Sequence, residues 1–343
     1  MSEKTKILVT GGTGYIGSHT VVELIQSGYK VVIIDDLSNS ERKVLDRIEQ
    51  ITGVRPEFEQ LNLTDSARLT TFFNKYTGIS GIIHFAASKA VGESVEKPLL
   101  YYHNNLVSLI NLIGSMKEKG IPSMVFSSSC TVYGQPEKLP VDESAPVQKP
   151  ESPYGNSKKI SEEIMRDSVA AYPELRMIAL RYFNPIGAHE SALIGELPLG
   201  VPNNLVPFIT QTGAGIRKEL KVFGTDYDTK DGSAVRDYIH VVDLARAHVI
   251  AVERLLKSEQ KQNFEFFNLG TGNGYTVLEV IEAFEKVSGV KLNYQVVDRR
   301  PGDIEKIWAD TKIANQELGW MAERGLDEMM KSAWNWQKAL MEG

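Results

Sequence analysis

The chain has 343 residues, 42% hydrophobic and 24% charged, with 28 glycines, 14 prolines and one cysteine. That composition excludes disordered, collagen-like and coiled-coil chains and predicts about two domains, or one large α/β unit with an insertion. Lys and Arg number 38 against 44 Asp and Glu, a net charge of −6, which argues against nucleic acid or an anionic membrane as partner.

The first strand-like run is Lys6–Thr10 (KILVT), followed by helical spacing over Ile16–Ser27 and a second strand at Lys30–Ile34. Further on come a helix at Ser66–Tyr76, a strand at Gly81–Phe85, a helix at Asn104–Lys119 and a strand at Ser123–Ser127. A helix over Tyr154–Ala171 and a strand over Met177–Tyr182 complete the alternation. Continuous apolar strands separated by helices predict a doubly wound parallel sheet covered on both faces. No run approaches about 18 apolar residues, the length of a membrane span. No charged-then-apolar leader precedes the first strand, and Cys130 has no disulfide partner, so the expected location is cytoplasmic.

Nine of the 14 prolines lie in two segments, Pro136–Pro153 and Pro185–Pro207. Proline has no amide to give a helix or sheet, so both segments are predicted as long loops. Each follows a strand and therefore lies at the carboxyl edge of the sheet, where doubly wound folds bind ligands. From about residue 185 the chain mixes helix and strand signals and carries all four tryptophans, which predicts a smaller α/β domain with its own apolar core.

After the first strand comes Thr10-Gly11-Gly12-Thr13-Gly14-Tyr15-Ile16-Gly17. Read from Gly12 it is G-x-G-x-x-G between a strand and a helix, the turn that brings backbone amides and a helix N-terminus against a pyrophosphate. Asp35 ends the second strand 18 residues beyond Gly17, where a carboxylate accepts from a ribose hydroxyl and repels a 2′-phosphate, favouring NAD over NADP. A P-loop requires Lys-Ser/Thr where Ser18-His19 stand, so that reading fails. The fold expectation is a Rossmann-type domain over residues 1–184. Residues 185–343 mainly form the substrate-binding domain, with segments crossing back.

Tyr154 and Lys158 are four apart on a predicted helix and so share a face. Such pairs are ordinarily solvated or packing residues. Here the pair follows a strand ending Ser127-Ser128-Ser129, which could supply a hydroxyl to a reacting oxygen. A phenol titrates near 10, so a tyrosine base at neutral pH needs about three units, roughly 4 kcal/mol, of stabilisation of its phenolate. A neighbouring ammonium and a positive nicotinamide ring both provide it.

With these motifs the chain resembles the extended short-chain dehydrogenase/reductase superfamily, and within it the UDP-glucose (UDP-galactose) 4-epimerases. The likeness is carried by His84–Ser94, Ser127–Gly134, Arg181–Pro185, Pro202–Leu205, Val235–His240 and Arg300–Asp303, and it spans nearly the whole chain. It implies interconversion of UDP-glucose and UDP-galactose by transient oxidation at sugar C4, with tightly held NAD, rotation of the 4-keto sugar and return of the hydride. It implies Ser129, Tyr154 and Lys158 as catalytic. It further implies cofactor contacts from Gly11, Gly14, Tyr15, Ile16, Gly17, Asp35, Asn39, Ser40, Phe85, Ala86, Ala87, Lys89, Asn104 and Phe183. Asn62-Leu63 stands where the family usually has an acidic residue for adenine; Asn keeps a carbonyl acceptor but not the charge.

For the sugar nucleotide, the likeness implies Arg236 and Arg300 on the diphosphate, suited by their guanidinium forks. Asn184 and Asn204 would meet phosphate or sugar, Leu205 and Phe223 the base, and Asp303 the ribose. Ile307 occupies the position bordering the sugar's 2-substituent, where a large Tyr excludes N-acetyl sugars and a small residue admits them. A homodimer joined through helices at about Leu99–Lys119 and Tyr154–Ala171 is implied by the same likeness.

Competing readings are weaker. A 4,6-dehydratase or a decarboxylase needs a carboxylate just after the serine stretch, where this chain has Cys130 and Thr131. A nucleotide sensor that lost its chemistry would lack one of Ser129, Tyr154 and Lys158. The six histidines and Cys130 have no metal-ligand spacing, so no metal is expected, and His84 in an apolar strand reads as a packed core residue.

Overall fold

Runs such as KILVT and KVVII carry apolar side chains on both faces, so they can be satisfied only by a sheet covered on both sides. The computed structural model, which describes residues 5–148, 150–299 and 304–342, provides that cover. The first half contains β1 (Lys6–Thr10), α1 (Tyr15–Gln26), β2 (Lys30–Asp35), α2 (Lys43–Thr52), β3 (Glu57–Gln60), α3 (Ser66–Lys75) and β4 (Ile79–His84). It continues with α4 (Val91–Glu96), α5 (Pro98–Tyr102), α6 (Ser108–Lys119), β5 (Ser123–Ser127), α7 (Pro153–Ala171) and β6 (Arg176–Tyr182).

The second half holds β7 (Asn184–Ile186), α8 (Leu205–Gly213), β8 (Leu220–Phe223), β9 (Val235–His240), α9 (Val241–Leu256) and β10 (Phe264–Leu269). After these come β11 (Gly274–Thr276), α10 (Val277–Ser288), β12 (Tyr294–Val297), β13 (Lys306–Ile307) and α11 (Leu326–Glu342).

Seven parallel strands form the main sheet in the order β10-β6-β5-β4-β1-β2-β3. The order reverses between β1 and β4, which opens a crevice at their carboxyl ends. Alternate residues of β1 serve opposite faces. Ile7 and Val9 join a core with Val21, Val22, Leu244 and Val252 from α1 and α9. Leu8 joins one with Leu69, Phe72, Leu109, Leu112 and Met165 from α3, α6 and α7. A separate core of Ile209, Val222, Tyr238, Phe284 and Met330 lies under α8, α10 and α11.

The strands and helices expected from the sequence occur within two residues of their expected ends, with one interruption. Residues His103–Val107 form a π-helical turn ahead of α6, where a single helix was expected over Asn104–Lys119. Such turns concentrate at functional sites. The second proline segment is also less irregular than predicted. Pro185 stands within β7, paired with β9. Pro207 is the third residue of α8, a position whose amide would have no intrahelical partner anyway. Strand β3 and strand β10 had no counterpart in the sequence reading. The first is the sheet edge and reads EFEQ, with charges where a buried strand would be apolar. The second comes from the C-terminal half yet pairs with β6, and α9 returns to the same domain by packing against α1. Among the described residues no helix is long and apolar enough to cross a membrane.

Candidate active site

The β1–α1 turn is shaped by close backbone approach. Gly11 has φ +71°, and a Cβ there would lie 2.8 Å from the Ala86 amide nitrogen. A Cβ on Gly17 would collide with the Gly11 carbonyl. The α1 N-terminus starts at Gly14 and has no side-chain cap, so its first amides and the positive end of its dipole face the crevice, ready for an anion. A pyrophosphate fits this cradle. Tyr15 fixes the turn from above, since its hydroxyl donates to the Gly187 carbonyl at 2.7 Å.

Asp35 is buried at the end of β2. Thr13 N donates to its Oδ2 at 3.1 Å, and Leu37 N and the Ser40 hydroxyl donate to Oδ1 at 2.9 and 3.2 Å. It therefore ties the glycine turn to the loop carrying Asn39 and Ser40. At the neighbouring strand end the Asn62 carbonyl accepts from Thr64 N and Thr64 Oγ1, at 2.9 and 2.8 Å. The Asn62 amide donates to Asp36 Oδ2 at 3.2 Å. The acceptor that Asn62 was expected to present to adenine is thus engaged by its own chain, and Asp36 is the carboxylate at this edge. Leu63 is buried in the sheet core beside it.

β5 ends at Ser127, and the chain then turns through Ser129, whose hydroxyl accepts from Thr131 N and Thr131 Oγ1 at 3.2 and 3.0 Å. Helix α7 begins opposite, capped by Ser152, and brings Tyr154 and Lys158 to this turn. Lys158 Nζ donates to the Ser127 carbonyl at 2.6 Å and lies 5.8 Å from the centre of the Tyr154 ring. Burial lowers the Lys158 ammonium to about 7, against the upward pull of Glu162. Burial pushes the Tyr154 phenol well up, helped by Tyr182, while the hydrogen-bonded Ser129 hydroxyl pulls it down. His84 sits beneath this group with Nδ1 2.7 Å from Thr10 Oγ1, and burial, then Lys158, lowers it to about 3. It is a neutral, packed residue.

Phe85, Ala86, Ala87 and Lys89 follow β4 along the crevice, and Asn104 lies in the π turn, its amide donating to Ser88 Oγ at 2.9 Å. Phe183 is buried with Ile307, Val132, Tyr133 and Val141 in one apolar cluster. Ile307 is also the register neighbour of Arg236 across β13 and β9, so both side chains leave the same face of that small sheet. The Arg236 charge reaches Cys130, whose thiol burial raises to about 12. Asn184 begins β7 beside Tyr238, Phe223 ends β8, and Asn204 and Leu205 start α8. Arg300 and Asp303 lie outside the described residues. Among the described residues no group of three or more His, Cys, Asp or Glu could hold a metal ion.

Several residues that shape this site went unread in the sequence. Asn105 accepts from Ser88 N at 2.8 Å and donates to Ser157 Oγ at 3.0 Å, and Ser157 donates to the Tyr154 carbonyl at 2.7 Å. This chain fixes the start of α7 against the segment after β4. Asn105 adjoins Asn104 in the π-helical turn, but only its neighbour matched a family pattern.

Comparison with known proteins places these features. A family model described as GDP-mannose 4,6 dehydratase matches residues 8–333. A UDP-glucose 4-epimerase of Haemophilus influenzae is 52% identical over 332 residues, 97% of each chain. Among solved structures, a UDP-glucose 4-epimerase from Stenotrophomonas maltophila, with bound NAD and formylated UDP-arabinopyranose, superposes with TM-score 0.95 at 47% identity, covering 98% of this chain and 99% of that one. One from Bifidobacterium longum in complex with NAD+ and UDP gives TM-score 0.93 at 47% identity and 98% coverage of both chains.

Proposed function

The chain belongs to the UDP-glucose 4-epimerases, within the extended short-chain dehydrogenase/reductase family whose model it matches, and from that premise we infer how its residues perform the reaction. It interconverts UDP-galactose and UDP-glucose by transient oxidation and re-reduction at sugar C4. The observation that carries this reading is end-to-end 52% identity to an epimerase, in a chain that brings Ser129, Tyr154 and Lys158 to one point.

NAD, when bound, supplies the acceptor and then the donor of the C4 hydride. The Gly11–Gly17 turn and the α1 amides hold its pyrophosphate, and Asp35 its ribose. Tyr154 takes the proton of the C4 hydroxyl as the C4–H bond breaks, and returns it after the 4-keto sugar has turned over. Because burial raises the free phenol, the phenolate depends on positive charge nearby. Lys158, held by the Ser127 carbonyl, provides it. Ser129 donates a hydrogen bond to the sugar oxygen. Arg236 and Arg300 tether the diphosphate while the sugar rotates. Residues 1–184, with α9 and β10, form the cofactor-binding unit, and the remainder forms the sugar-nucleotide cap.

We place the enzyme in the cytoplasm, where a lone reduced Cys130 fits, and assign it a homodimer. Val91, Val95, Leu99, Leu100 and Ile110 are large apolar side chains about half or more exposed between α4 and α6. Exposed apolar side chains on neighbouring helices suit a protein partner, and a second copy meeting them along α6 and α7 is the partner we assign. The test of the chemistry is Tyr154→Phe, which removes the proton acceptor and keeps the ring. It should lower turnover on UDP-galactose by at least about 100-fold, the scale of general-base catalysis, with the thermal midpoint kept. A loss under about tenfold removes Tyr154 from the role.

A further inference from the structure

A cleft that binds two diphosphates is expected to be lined by donors and cations, because a carboxylate there repels both ligands. Glu196 breaks that expectation. Its Oε1 accepts from Asn204 Nδ2 at 2.6 Å and lies 3.7 Å from Lys89 Nζ. The Glu196 side chain is 12% exposed and that of Lys89 50%, so the carboxylate is built into the wall and the lysine reaches to it.

The strap that carries Glu196 is fixed at both ends. The Tyr15 hydroxyl donates to Gly187 O at 2.7 Å, and Ala188 N donates to Ser332 Oγ at 3.1 Å. Trp336 Nε1 donates to the Glu196 carbonyl at 2.9 Å. The strap over residues 187–196 is therefore held by Tyr15 of the phosphate turn and by α11, and delivers a single oxygen between Lys89 and Asn204.

We propose that Glu196 is a positioning residue that couples the dinucleotide side of the cleft to the sugar-nucleotide side, by orienting Lys89 and Asn204 through one carboxylate oxygen. The proposal rests on the reading of Lys89 as a cofactor contact and Asn204 as a substrate contact. An ion pair at this distance, its lysine half exposed, adds little to folding stability, so its effect is on orientation. Asn204 needs only an acceptor, whereas Lys89 needs the charge. The two functions are thus separable by chemistry.

The test uses the NAD-loaded enzyme. Glu196→Ala should raise KM for UDP-galactose about fivefold, the worth of one hydrogen bond, and speed NAD release on dilution by a similar factor, leaving the thermal midpoint in place. Glu196→Gln keeps an acceptor for Asn204, so KM should return to near wild type while NAD release stays fast. Wild-type KM and NAD release in Glu196→Ala overturn the proposal, as does a variant whose only change is a lower thermal midpoint. Lys89→Ala and Asn204→Ala are measured alongside. If they weaken NAD retention and KM respectively while Glu196→Ala does not, the coupling alone is wrong. If they leave both unchanged, the two ligand contacts are wrong and the proposal falls with them.

Discussion

Glu162 and Arg181 meet in the interior as an ion pair, with side chains 4% and 1% exposed. Arg181 Nε and Nη2 donate to Glu162 Oε1 and Oε2 at 3.0 and 2.5 Å, and Ser128 Oγ donates to Oε1 at 2.6 Å. Arg181 Nη1 donates to Tyr133 Oη at 2.9 Å, and Tyr133 donates to Asn268 Oδ1 at 2.7 Å. The pair thus joins α7, one turn beyond Lys158, to the turn bearing Ser129 and to β10 from the far half of the chain.

Removing one partner leaves the other as an unpaired buried charge, which costs about 3–5 kcal/mol. Glu162→Ala and Arg181→Ala should each lower the unfolding free energy of the NAD-loaded enzyme by about that much in urea titrations. The apolar double replacement Glu162→Leu with Arg181→Met should recover most of the loss. Single variants within about 1 kcal/mol of wild type, the range of a surface pair, would show the interior to be wetter than the structure indicates.

Four of the buried histidines weaken the fold in acid. Burial, the largest cause in each case, lowers His19, His84 and His240 to about 3 and His248 to about 4. Unfolded histidine titrates near 6.5, so between these values the unfolded chain binds more protons and stability falls as pH falls. The contribution is complete above about pH 6.5 and is lost towards pH 3–4, at up to about 1.4 kcal/mol per pH unit for each group. The thermal midpoint at saturating NAD should drop between pH 7.5 and pH 5. An unchanged midpoint would mean these histidines are solvated.

Ile307 is 3% exposed and packs with Phe183, Val132 and Tyr133, next to Arg236 in register. A branched side chain bordering the sugar's 2-substituent would crowd an acetamido group, so wild type should strongly prefer UDP-glucose and UDP-galactose over their N-acetyl counterparts. Ile307→Ala should shift that ratio by at least about tenfold, the low end of what one methylene is worth in a pocket. Equal wild-type rates on both substrate pairs would contradict this.

What could be read from the sequence was local. The glycine turn, Asp35 and the Tyr154/Lys158 spacing are short-range patterns whose geometry follows from one strand, one turn or one helix. The pairing of Glu162 with Arg181, and of Glu196 with Lys89 and Asn204, joins residues on different elements, and no periodicity announces such a contact. Asn62 was legible as an acceptor, but not that Thr64 already occupies it. Strand β10 and helix α9 were not placed from the sequence, because their return to the first domain depends on which apolar face remains uncovered there.

The central claim is tested most directly by incubating the purified protein with UDP-galactose in the absence of added NAD, then analysing both the sugar nucleotides and the cofactor freed on denaturation. UDP-glucose should accumulate to equilibrium, with NAD released from the protein and no net NADH formed. Absence of UDP-glucose, with no NAD recovered from the denatured protein, would contradict the assignment.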